Sequence, residues 1–140
     1  MSVWLTAILP MIGVMIGAIL QYWFSRATED HKNQQTLRTQ AYVDYVRGVT
    51  GITFAQRVNN KEKEQESLIL LVDAQARILM YGLKPVIQSL AEFYRKGKVL
   101  DTPERREDFI TLCRNMRRDS LPRTDADLDY QEALVVLFTE

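Results

Sequence analysis

The stretch Val3–Phe24, VWLTAILPMIGVMIGAILQYWF, carries no charged residue and only one strongly polar one, Gln21, near its end. A helix needs about 20 such residues to cross the hydrocarbon core of a bilayer, so the run is long enough for one membrane span. A cleavable signal peptide would place a basic segment before a shorter apolar core and small residues at its exit. Here no Lys or Arg precedes the run, and it leaves through Gln21-Tyr22-Trp23-Phe24-Ser25-Arg26 with bulky aromatic rings. A buried helix of a soluble domain is rarely so apolar on every side. Arg26, Lys32 and Arg38 follow the run while no base precedes it, so the positive-inside rule leaves the N-terminus outside and the remainder in the cytoplasm. Trp4 at one end, and Tyr22 and Trp23 at the other, stand where amphipathic rings favour the membrane interface.

Within this anchor Gly13 and Gly17 form a GxxxG pair, which removes two side chains from one helix face and invites a second helix; Thr6 or Ala7 and Ala18 widen that face. Pro10 removes one backbone hydrogen bond and is expected to kink the outer third. Thr6 and Gln21 are the polar groups that could bond between helices or line an oligomeric pore. A homo-oligomer in a lipid bilayer is the expectation.

The 140 residues divide as 1–24 anchor, 25–60 stalk and first cytoplasmic helix, and 61–140 the rest of a helical bundle. With 18 basic and 18 acidic residues the net charge is zero, which argues against a nucleic-acid partner held by phosphate neutralisation. Cys113 and His31 each stand alone, excluding an intrachain disulfide, a multi-cysteine zinc site and a paired-histidine metal site. Cys113 reads as an ordinary packed thiol. Glu29, Asp30 and His31 could hold a metal only across subunits, with too few oxygen ligands for a hard ion. No cofactor and no metal is expected.

The fold class expected is all-α: one N-terminal transmembrane helix continuing into a cytoplasmic bundle of about four to five helices. After a polar stalk, Leu37, Ala41, Tyr45, Val49 and Ile52 recur at helical spacing, broadened by Tyr42, Val46 and Phe54. Gly48 and Gly51 there suggest a bend or a close neighbour. Asn59-Asn60-Lys61-Glu62-Lys63 reads as a turn or a charged helix entry. A second helix, Leu68 to Tyr81, places Leu68, Leu71, Val72, Gln75, Ile78 and Leu79 toward the core, with Gly82 as a left-handed stop. Pro85 opens a third helix, burying Val86, Leu90 and Phe93 or Tyr94, and Gly97 closes it. Thr102-Pro103-Glu104 opens a fourth, striped by Phe109, Leu112, Cys113 and Met116. After Pro122, Thr124 and Asp127 are expected to cap a last helix with Leu128, Leu134, Val135, Leu137 and Phe138 inward.

The anchor together with Arg38-Thr39-Gln40-Ala41-Tyr42, Ala76-Arg77-Ile78-Leu79-Met80-Tyr81-Gly82, Ala91-Glu92-Phe93, Thr102 to Phe109 and Asn115-Met116-Arg117-Arg118-Asp119 resembles a widespread family of small bacterial single-pass membrane-anchored helical proteins. The resemblance covers most of the chain and implies an inner-membrane location. In layout the chain is also similar to the membrane-pore accessory proteins of Cas13b CRISPR loci, which implies an oligomeric pore or effector in antiphage defence. That class carries an Arg-x(4–6)-His element, a hallmark of HEPN ribonucleases, and Arg26-Ala-Thr-Glu-Asp-His31 has this spacing. It implies metal-free RNA cleavage, with His31 moving the 2′-hydroxyl proton and Arg26 holding the phosphate.

Set against that, Arg26 is fully explained as a topology determinant beside the headgroups. Arg114, Arg117 and Arg118, with Arg123 nearby, could bind an anion, or could complement the helix dipole and pair with Asp119, Asp125, Asp127 and Glu132. Arg77, inside an otherwise apolar helix, needs a carboxylate, and Asp73 four residues earlier is the partner expected. No catalytic constellation stands out. The reading is a single-pass inner-membrane protein whose helical domain self-assembles or binds a protein partner.

Overall fold

In a computed structural model the chain is all-α, with five helices and no strand among the described residues. The structure describes the backbone of residues 2–97, 100–121 and 127–138, and side chains within those from Gly13 onward. The helices are α1 (Ser2–Arg57), α2 (Lys61–Tyr81), α3 (Lys84–Arg95), α4 (Pro103–Ser120) and α5 (Tyr130–Phe138). The chain divides into two compact units, Met1–Gln35 and Thr36–Glu140. The sequence-based boundary at 60/61 falls inside the second of these, at the turn between α1 and α2.

Among the described residues, no helix is long and apolar enough to cross a membrane. The described apolar side chains run from Gly13 to Phe24, about 18 Å of helix where a bilayer core needs about 30 Å. Trp4, Thr6, Ala7 and Pro10, singled out above, lie outside the residues whose side chains are described.

α1 ends where Asn59 takes the left-handed conformation (φ 52). The Asn60 N–H donates to the Ala55 carbonyl at 2.9 Å and the Asn59 N–H to the Gln56 carbonyl at 3.2 Å. Those two bonds satisfy the carbonyls that the end of a helix leaves open, and Asn is among the few non-glycine residues that adopt this backbone readily. Asn60 then caps α2, its side-chain oxygen accepting from the Lys63 N–H at 3.1 Å. The expected turn is therefore the end of one helix and the cap of the next, and α2 starts at Lys61, well before Leu68.

The two helices run antiparallel, pairing Gln56 with Glu64, Gly51 with Ser67, Gly48 with Leu71 and Asp44 with Arg77. A Cβ on Gly48 would lie 3.0 Å from the Leu71 Cα, and one on Gly51 would lie 2.5 Å from the Ser67 hydroxyl. The glycines receive a close neighbour, at the expense of helix propensity.

The core of the second unit joins Ala41, Tyr42 and Tyr45 of α1 with Ala74 and Ile78 of α2, Val86 and Phe93 of α3, and Phe109, Leu112 and Met116 of α4. Leu137 and Phe138 of α5 pack on its edge, the Phe138 ring 6.5 Å from that of Phe109. Thr102 caps α4 as expected, accepting from the Arg105 N–H at 3.4 Å, and Gly97 follows α3 at φ 106.

Several expectations are corrected. Phe54, Leu68, Val72, Leu79 and Val135 are exposed, because α1, α2 and α5 bury narrower stripes than their apolar residues would allow. Gly82 is extended (φ −69, ψ 152), so α2 ends with no left-handed turn; its N–H donates to the Ile78 carbonyl at 2.7 Å, where a Cβ would stand 2.5 Å from that oxygen. The first turn of α5 is closed by Asp129, whose carboxylate accepts from the Glu132 N–H at 3.4 Å; Asp127 pairs elsewhere, and Thr124 lies outside the described residues.

Gly48→Ala should lower stability by about 1–2 kcal/mol in chemical denaturation despite its gain in helix propensity, since backbone must move. Gly51→Ala should stay within about 0.5 kcal/mol of the parent, because the Ser67 hydroxyl can rotate away.

Burial pushes the Tyr45 phenol well above its usual range, the neighbouring Tyr94 adding to the shift, and burial pushes the Cys113 thiol up to about 12. Both stay protonated in the fold at pH values where the unfolded chain has ionised them, so stability is lost as pH rises from about 9 upward. Tyr45→Phe should flatten that loss in urea melts taken between about pH 9 and 11.

Candidate functional site

Two regions hold the residues singled out from the sequence, one in each unit. In the first, every residue from Gly13 to Phe24 is exposed, including Val14, Met15, Ile16, Ile19, Leu20, Tyr22, Trp23 and Phe24. Nothing lies within 4 Å of where a Cβ would stand on Gly13 or Gly17. Residues four apart lie on one helix face, so the two glycines leave a gap among large apolar side chains, with Gln21 one turn further along the same face.

Arg26 turns back along the same helix, its guanidinium donating to the Tyr22 hydroxyl at 3.1 Å. His31 is exposed. Five residues on an α-helix turn through about 140°, so Arg26 and His31 project from different faces and cannot hold one phosphate within a single chain. Among the described residues no group of three His, Cys, Asp or Glu side chains could hold a metal ion, and Glu29, Asp30 and His31 are all exposed.

In the second unit the arginines of α4 share a face by spacing but stand in different surroundings. The Nε of Arg114 is buried, with no hydrogen-bond partner among the described residues. Arg117 edges an apolar groove of about 310 Å³ between α1 and α4, lined by Tyr42, Val43, Val46, Cys113 and Met116. Arg118 pairs with Asp127 at 3.5 Å, an exposed contact of little energetic weight. Arg123 and Asp125 lie outside the described residues.

Asp119 is better held than any of these. It stands in the last turn of α4, where the helix dipole disfavours a negative charge. Its side chain is only 6% exposed. The Arg38 Nε lies 3.2 Å from its Oδ2, and the Tyr42 hydroxyl donates to the same oxygen at 2.6 Å. Tyr42 also accepts from the Leu83 N–H at 3.4 Å. Burial raises the Tyr42 phenol far above its usual range, and the bond to Asp119 adds to that, so the phenol acts as a fixed donor. Arg38, counted above among the topology-setting bases, is thus also a structural residue of the bundle.

Arg77 has its expected partner and one more. Its Nε donates to Asp73 at 2.9 Å and its Nη2 to Asp44 of α1 at 2.8 Å. Asp44 could not be found from α2 alone, since it is 33 residues away. Asp119, expected to pair with the arginines of its own helix, instead takes Arg38 and Tyr42 of α1. Arg38 and Tyr42 sit four apart on one helix face, but residue spacing does not join them to a residue 77 positions away.

No protein family, curated protein or solved structure matches the chain, so its functional reading rests on its own residues.

Asp119→Ala would remove the carboxylate paired with Arg38 and the acceptor of the Tyr42 O–H, and should lower stability by about 2–4 kcal/mol. Asp127→Ala should change it by less than about 0.5 kcal/mol in the same denaturation series.

Proposed function

We propose that this chain is a single-pass inner-membrane protein, N-terminus outside, whose helical cytoplasmic domain assembles with further copies or a protein partner. The observation that carries this reading is the apolar helix from Gly13 to Phe24, in which every side chain, Met15 and Trp23 included, is exposed. A contiguous apolar surface of this kind is rare on a soluble monomer, and lipid tails remove its cost. The sequence extends the same uncharged character back to Val3, giving the length a span requires. The Gly13/Gly17 strip supports assembly, since two such helices could bring their backbones together there.

An oligomeric pore or effector in antiphage defence uses the same surface. Gln21, exposed one turn beyond Gly17, would be its inner polar ring. The ribonuclease reading draws less support, because Arg26 bonds to Tyr22 and diverges from His31. It would need residues from two chains.

The full chain expressed in bacteria should sediment with membranes and resist alkaline carbonate extraction. Gly13→Leu with Gly17→Leu should leave that partition unchanged while reducing cross-linked oligomer through the span by about fivefold or more in mild detergent. Recovery of the parent chain in the high-speed supernatant would sink the reading.

A further inference from the structure

The geometry points to a binding site for a small amphiphilic anion, a carboxylate or phosphate head on an apolar body, in the cavity between α1, α4 and α5. The cavity measures about 310 Å³, at the lower end of the range for small-molecule sites. It lies wholly within the helical unit, so it goes beyond the membrane reading above and does not depend on it. Helical spacing builds its walls. Val49, Thr53 and Arg57 follow one another every four residues, which sets them on one face of α1. Arg106 and Phe109, three apart on α4, form a second wall, and Phe138 at the end of α5 a third. Phe54 also lines the cavity yet is 51% exposed, apolar area that an occupant would cover.

Two observations select the charge of the occupant. Among the described residues that line the cavity none is acidic, while two are arginines. Arg106 is partly buried, and its partners are neutral: its Nε donates to the Leu100 carbonyl at 3.3 Å, and its guanidinium stands 5.3 Å from the centre of the Phe138 ring. Arg38, Arg77 and the adjacent Arg105 each hold a carboxylate, at 3.2, 2.8 and 3.4 Å. Arg106 has none among the described residues. A guanidinium taken partly out of water is stabilised by an anion beside it. The Thr50 and Thr53 hydroxyls donate to the Val46 and Val49 carbonyls, both at 3.0 Å, so the donors for an anionic head come from the two arginines.

The same walls disfavour the other occupants. A bare inorganic anion would leave the apolar surface of Val49 and the phenylalanine rings uncovered. A nucleic-acid strand needs a basic groove that tracks its backbone, where this cavity offers two bases. A neutral apolar molecule would take Arg106 further from water without compensating its charge. An amphiphile with one anionic end satisfies the guanidiniums and the apolar wall together.

The test titrates the full purified chain in mild detergent, by calorimetry against detergent alone, with octanoate, octyl phosphate, 1-octanol and inorganic phosphate. At least one of the two amphiphilic anions should bind about tenfold or more tighter than 1-octanol, and the tighter head assigns the ligand as carboxylate or phosphate. Arg106→Gln should weaken that binding about tenfold or more with helical circular dichroism unchanged. Arg57→Gln, at the exposed end of α1, should weaken it about threefold or more, and carries the test if the Arg106 variant unfolds. No binding of either amphiphile would overturn the proposal. So would 1-octanol or inorganic phosphate binding as tightly as the better amphiphile, or parent-like affinity in the arginine variants that fold.

Discussion

The close approach of α1 and α2 is the constraint on which the helical unit depends. Gly48 and Gly51 give up helix propensity so that Leu71 and Ser67 can sit nearly against the α1 backbone. With that spacing fixed, Arg77 reaches Asp44 across the gap, and Ala74 and Ile78 enter the core beside Ala41 and Tyr45. The Asn59-Asn60 turn sets the register, because its paired backbone bonds leave little freedom in where α2 begins. Leu83, at the far end of α2, then meets Tyr42.

The polar cluster around Asp119 completes the unit at that far end. A carboxylate in the last turn of a helix is unfavourable alone, and becomes acceptable when Arg38 and Tyr42 both point at it. It joins three stretches remote in sequence: the start of the bundle in α1, the beginning of α3 and the end of α4. Charged side chains here hold helices together. That accounts for their presence without a substrate.

Among the described residues, apolar side chains stay exposed along the uncharged stretch from Gly13 to Phe24 and on the face of α2 that carries Ile69, Val72, Leu79 and Met80. The Arg26 and His31 side chains diverge on their helix, Arg118 pairs with Asp127, and the buried Arg114 Nε has no hydrogen-bond partner among the described residues.

The sequence by itself determined that the chain is all helical and where most helices end. Proline at the start of α3 and α4, the Thr102 and Asn60 caps and Gly97 act through local backbone geometry, which is written within a few residues. It also marked Arg77 for Asp73, a contact one helical turn away. Tertiary structure alone decided which of the apolar residues on α2 face inward. Leu68, Leu71, Val72, Ile78 and Leu79 look alike in a periodic pattern, yet Ile78 enters the core and Leu71 packs half-buried against Gly48 while the other three stay exposed. It alone also joined Asp44 to Arg77 and Arg38 to Asp119, because such pairs depend on where helices lie in space, and residue spacing carries no record of that.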